Sequence, residues 1–136
     1  MATISGHCLC GAISYEADVE PMFTANCHCT DCRAATGSAY ATLSFFKEDD
    51  LRISGEPKSY EHTADSGNQM TKFFCPNCGS QIFGASSGRP GMKSVRSGTI
   101  DQCDLVKPAV NVYVSSKIPS TPLDPEIPAA EKMPQG

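Results

Sequence analysis

Seven of the chain's eight cysteines fall into three tight groups: Cys8 and Cys10 in GHCLCG, Cys27, Cys29 and Cys32 in NCHCTDC, and Cys75 and Cys78 in FFCPNCGS. Cys103 stands apart. This grouping constrains the fold more than any hydrophobic pattern in the chain, because clustered cysteines are either a disulfide framework or a set of metal ligands. The opening MATISGHCLCG has neither the basic start nor the apolar stretch of a secretory signal, so a cytoplasmic setting is expected. Thiols stay reduced there, which turns the expectation from disulfides to metal.

Cys75-Pro76-Asn77-Cys78-Gly79 has the zinc-knuckle pattern, in which a tight turn aims two sulfurs at one ion and glycine lets the backbone curl beneath it. Cys8 and Cys10 are two residues apart. On an extended strand both side chains leave one face, about 7 Å apart at the backbone. Sulfurs on one tetrahedral zinc lie roughly 4 Å apart, so modest convergence lets the two pairs close a four-thiolate site. Such a closed site is structural, and its binding free energy, on the order of 10 kcal/mol or more, is folding free energy. With 7% aromatic residues and no Trp, the chain needs that contribution. Core packing of these cysteines and a redox C-x-x-C at Cys75 and Cys78 are the competing readings; the latter lacks a surrounding βαβ pattern.

Cys27, Cys29 and Cys32 supply three thiolates within six residues and leave one position of a tetrahedral ion unassigned. Three protein ligands plus an open position mark a catalytic zinc. His28 is a candidate fourth ligand, although on an extended segment it faces away from its neighbours. Cys103 is another, with a small buried filler or a free thiol as its alternatives. Three thiolates overcompensate the two charges of zinc and make a poor electrophile, so hydrolysis by bound water is not the leading chemistry. A thiol in the open position would lose its proton. Addition of that sulfur to a small carbonyl compound follows.

The rest of the chain frames these sites. Its 136 residues suit one domain, and 11 Lys and Arg against 15 Asp and Glu leave a net charge of −4, which argues against a nucleic-acid partner. Gly and Pro interrupt every apolar run, so no membrane partner is expected. Alternation at Ile13, Tyr15 and Ala17, at Leu43 and Phe45, at Leu51 and Ile53, and at Val110, Val112 and Val114 predicts short strands separated by turn-forming stretches. One helical turn is expected from Thr30 to Ala35, closed by Gly37. A mainly β domain over residues 1–118 is expected, followed by a Pro-rich tail over 119–136. That tail cannot sit inside a sheet, and either straps over the domain through Ile118, Leu123, Ile127 and Met133 or hangs loose.

The runs GHCLCGAISYE, NCHCTDCRAATGSAY, FFCPNCGSQIFG and SGTID resemble, in order, the motifs of the glutathione-dependent formaldehyde-activating enzyme family, which also includes centromere protein V. The resemblance implies a zinc-stapled β-tent of short antiparallel strands, a structural zinc on Cys8, Cys10, Cys75 and Cys78, and a catalytic zinc on Cys27, Cys29 and Cys32. It also implies the family's reaction: formaldehyde and glutathione combine to S-hydroxymethylglutathione, classed as a carbon–sulfur lyase. Family members often carry His and Trp in the late strand and Trp after the following Pro, where this chain has Asn111, Tyr113 and Ser120. The partners expected are therefore a small-molecule thiol and an aldehyde.

Glutathione is anionic and calls for cations near the site. Arg33, directly after the triplet, is the first candidate, with Lys93 and Arg96 on a predicted strand; a guanidinium grips a carboxylate through two parallel bonds. Gly37 and Ser38 either line the pocket or simply end the turn. The alternative functions are a non-enzymatic zinc-binding interaction module and a redox-sensing zinc protein that loses its triplet ion on oxidation.

Overall fold

The computed structural model describes residues 2–132. Strands β1 (Ile4–His7), β2 (Ser14–Ala17) and β5 (Arg52–Ser54) form a small antiparallel sheet in the order β1-β2-β5. The large sheet has seven strands in the order β10-β3-β4-β9-β8-β7-β6. Its members are β3 (Phe23–Cys27), β4 (Ala41–Lys47), β6 (Lys58–Thr63), β7 (Gln69–Phe74), β8 (Gln81–Ser86), β9 (Met92–Arg96) and β10 (Val110–Val112). The one α-helix among the described residues, α1 (Thr30–Thr36), links β3 to β4 and ends at Gly37 with φ 68°. The mainly β architecture is as the alternation predicts. Among the named strands one pairing departs from the antiparallel rule: β10 runs parallel to β3, Val112 beside Cys27.

The core lies between the sheets. Ile4, Tyr15 and Ala17 from the small sheet, with Ile13 just before β2, meet Phe46, Ile82, Phe83 and Val95 from the large one, all at 0–1% exposure. Tyr15 meets Phe83 edge to face at 5.4 Å, the geometry aromatic quadrupoles favour. In β4 it is Ser44 and Phe46 that face this core. Ser44 is accommodated by a buried hydroxyl chain, 3.0 Å to Thr24 and 2.7 Å to Ser97. Leu43 and Phe45, the apolar pair that announces the strand, point to the opposite face, where they line a cleft.

Gly6 lies where the Tyr15 hydroxyl crosses β1 on its way to Thr99 Oγ1 at 2.7 Å. A methyl group there would collide with both that hydroxyl and the Thr99 carbonyl. Gly6→Ala is expected to destabilise the fold by about 2–3 kcal/mol, measured by urea unfolding, since overpacking against fixed backbone finds no relief. Unchanged stability would mean that β1 shifts freely.

Beyond β10 the chain makes a 3-10 turn, Val114–Ser116, and then enters the Pro-rich segment. This segment doubles back. Asn111 N–H donates to the Pro128 carbonyl at 2.9 Å and Ala130 N–H donates to the Asn111 carbonyl at 2.8 Å, on the free edge of β10. An edge is where a strand tolerates proline. Met133, an anchor expected from the sequence, lies outside the described residues. Among the described residues no helix is long and apolar enough to cross a membrane.

Candidate metal centres

The first cysteine group joins two turns. Cys8, Cys10, Cys75 and Cys78 bring their four Sγ atoms within 4.8 Å of one another, with Cys8–Cys10 and Cys10–Cys75 separations of 3.7 Å each. Sulfurs at about 2.3 Å from a tetrahedral zinc are about 3.8 Å apart, so these residues fit such an ion without rearrangement. The Cys75 turn is closed by Gly79 N–H donating to the Cys75 carbonyl, with Gly79 at φ 80°. Cys8 and Cys10 differ from their expected setting. β1 ends at His7, and a second turn, closed by Gly11 N–H on the Cys8 carbonyl with Gly11 at φ 81°, carries both cysteines. The turn achieves a convergence that an extended strand at roughly 7 Å spacing would have had to force. The Ser80 hydroxyl, 3.2 Å from Cys78 Sγ, is the first cause that draws the Cys78 thiol down to about 5.

The second group sits on a strand-to-helix corner. Cys27 ends β3, Cys29 caps α1 by accepting from Cys32 N–H at 3.2 Å, and Cys32 lies in the first turn. Their three Sγ atoms also lie within 4.8 Å of one another. Without an ion, three sulfurs this close cannot ionise together. Hydrogen bonds from Cys27 and then Cys32 pull the Cys29 thiol down to about 2, while hydrogen bonding to Cys29 and Cys32, then burial, push Cys27 up. A divalent cation removes that conflict by taking thiolates in place of protons.

His28 stays out of this group. Its ring is buried against Tyr40 at a centroid distance of 4.8 Å, and Nε2 lies 3.1 Å from Asn111 Oδ1. Asn111 thus joins β10 to the cysteine corner. Cys103 is exposed and belongs to neither cluster, which leaves the free thiol of its two alternatives. Arg33 donates to the Ser116 carbonyl at 3.0 Å and ties α1 to the turn after β10. Ser38 is exposed and donates its backbone N–H to Thr36 Oγ1, so with Gly37 it finishes the helix.

The two arginine and lysine candidates on β9 separate, because three residues apart on a strand means opposite faces. Lys93 lies over the Phe73 ring at 4.8 Å and pairs with Glu48 at 3.7 Å. Arg96 instead lines a cleft of about 70 Å³ whose wall includes Cys32, together with Leu43, Phe45 and Met92. Burial lowers the Arg96 guanidinium from its usual value, offset by the charges of Cys32, Cys27 and Cys29. Tyr113 is the residue that sequence reasoning noted only as a departure. It holds φ 58°, the single positive φ outside glycine among the described residues. Such a conformation costs on the order of 1–3 kcal/mol and persists where surroundings demand it. Burial raises its phenol, and the charges of Cys27, Cys29 and Cys32 add to the rise, which places the ring in the field of the triplet.

A crystal structure of a Rhodobacter sphaeroides protein, a structural-genomics target, superposes with a TM-score of 0.59 at 19% identity, covering 92% of this chain and 98% of that one, which establishes the shared fold. No curated protein sequence matches the chain significantly. The two cysteine clusters and the sheets that carry them fall within residues 3–116, the span over which the sequence matches the glutathione-dependent formaldehyde-activating enzymes, and the chain belongs to that family.

Proposed function

We propose that this protein is a zinc-dependent carbon–sulfur lyase, resembling S-(hydroxymethyl)glutathione synthase, that adds a thiol reversibly to formaldehyde or another small aldehyde. The observation that supports it is the contrast between the clusters. Cys8, Cys10, Cys75 and Cys78 supply a complete tetrahedral set, whereas Cys27, Cys29 and Cys32 supply three sulfurs beside a cleft. Zinc at the three-cysteine site would supply the acidity that makes a thiol a thiolate near neutral pH.

The chain's own residues set the rest. Arg96, buried against Cys32, offsets the excess negative charge of three thiolates plus a fourth. Leu43, Phe45 and Met92 keep the cleft apolar, which strengthens each charge interaction inside it. The reaction forms one carbon–sulfur bond and moves one proton from sulfur to the aldehyde oxygen, consuming neither oxidant nor reductant. Tyr113, whose phenol is held protonated by burial and by the triplet's charges, is a candidate to donate to that oxygen.

The test is the rate of hemithioacetal formation from ¹³C-formaldehyde and glutathione, followed by NMR with zinc-loaded and metal-free protein. The reading predicts acceleration of about 100-fold or more, the range that positioned acid–base groups supply, by the loaded form alone. Equal rates in buffer and in both protein forms would refute it.

A further inference from the structure

The cleft beside Cys32 carries three cations. Arg96 reaches back across β8, where a methyl group on Gly84 would come within 3.0 Å of its Nη1. Gly84 is the direct cross-strand partner of Lys72 on β7, so Lys72 and Arg96 share one small stretch of sheet. Lys72 lines the same cleft and is only 7% exposed. Arg89, the third, lies over the stacked rings of Phe23 and Phe45, at 5.1 and 4.8 Å from their centroids. Its flat face is occupied while its donor edge stays available.

Nothing anionic answers Lys72 or Arg89. Among the described residues none of the three forms an ion pair, and no carboxylate lines the cleft. Arg96 shares the cleft wall with Cys32, and its Nε is buried without a partner. Lys72 donates to His62 Nε2 at 2.7 Å, a bond that requires that nitrogen to be unprotonated and so brings no negative charge. A charge taken out of water is costly unless it is paired, and an anion in the cleft would supply that pair.

We infer that Lys72 and Arg89 form the seat for a carboxylate carried by the thiol substrate, whose sulfur lies at the Cys32 end of the cleft while its carbon chain packs on Leu43, Phe45, Met70 and Met92. The cleft's volume of about 70 Å³ has room for a few water-sized groups, a carboxylate and a short carbon chain. The favoured substrate class is therefore a compact thiol acid. This rests on the thiol chemistry proposed above and adds the specificity residues to it.

The test is calorimetric binding of 3-mercaptopropionate and of its neutral counterpart 3-mercapto-1-propanol to the zinc-loaded protein. The acid is expected to bind about 10-fold or more tighter than the alcohol, as a charge-assisted hydrogen bond in a water-poor site confers. In Lys72→Met the difference is expected to shrink to within about twofold, with the alcohol's affinity unchanged. Arg89→Gln, a change near the cleft's mouth with no buried ammonium to replace, is expected to reduce the same preference by about threefold or more. Equal affinities in the wild type, a preference that survives both substitutions, or no binding of either thiol would overturn the inference. Selective acid binding without any aldehyde adduct would refute the proposed reaction while leaving the carboxylate seat standing; adduct formation with equal affinities would do the reverse.

Discussion

Cys78→Ser is expected to leave the chain unfolded or insoluble, read as loss of the native far-ultraviolet circular dichroism and of a cooperative thermal transition. Two of its cluster partners, Cys8 and Cys75, are fully buried members of the hydrophobic core, so this centre is continuous with the packing between the sheets. It also pins the turn after β1 to the turn before β8, 65 residues apart in the chain at Cys10 and Cys75. A structural zinc site contributes on the order of 10 kcal/mol, which equals or exceeds the whole net stability of about 5–15 kcal/mol for a typical domain. With three ligands left, the ion is held far less firmly, and buried sulfurs that remain ionised have lost their counter-charge. A soluble, cooperatively folding Cys78→Ser protein would show that the two sheets hold together without the four-cysteine centre.

Cys29→Ser is expected to do the opposite: retain the fold and lose thiol addition to aldehyde by about 100-fold or more, the loss that follows when a metal is no longer held in a catalytic site. Cys29 is only part-buried, and its structural bond is the cap it offers to Cys32 N–H at 3.2 Å. Serine is itself a favoured cap, so α1 survives the change. The thermal midpoint is expected to fall by no more than a few degrees, since a surface change on this scale is usually within about 1 kcal/mol. Complete unfolding of both variants would end the division of labour between the centres.

The three cysteine groups were legible in the chain because metal geometry acts through short spacings that survive in one dimension. The surroundings were less so. Leu43 and Phe45 announced β4 correctly but indicated the wrong buried side, since Ser44 is polar and its core partners Thr24 and Ser97 are distant in sequence. β10 alternates like its neighbours, yet nothing local states that it runs parallel to β3; that follows from which edge remains open when the chain returns. The strained φ of Tyr113 has no signature in a residue type that ordinarily avoids it. Lys93 and Arg96 were grouped as candidates from the sequence, although period-two counting along β9 puts them on opposite faces. Lys72 escaped notice because a lysine in an alternating strand reads as a solvent-facing residue. Its burial depends on the flanking strands, with His62 of β6 on one side and Gly84 of β8 on the other.

The central claim is that one chain carries a closed metal centre and an open one, and metal content tests this most directly. Purified protein is analysed for zinc per chain before and after dialysis against a mild chelator, with and without a thiol present. Two zinc ions are expected, one for each cysteine cluster, of which the one at Cys27, Cys29 and Cys32 is removed by the chelator and has its release altered by the thiol. A single ion per chain, or two ions that neither chelator nor thiol disturbs, would contradict it.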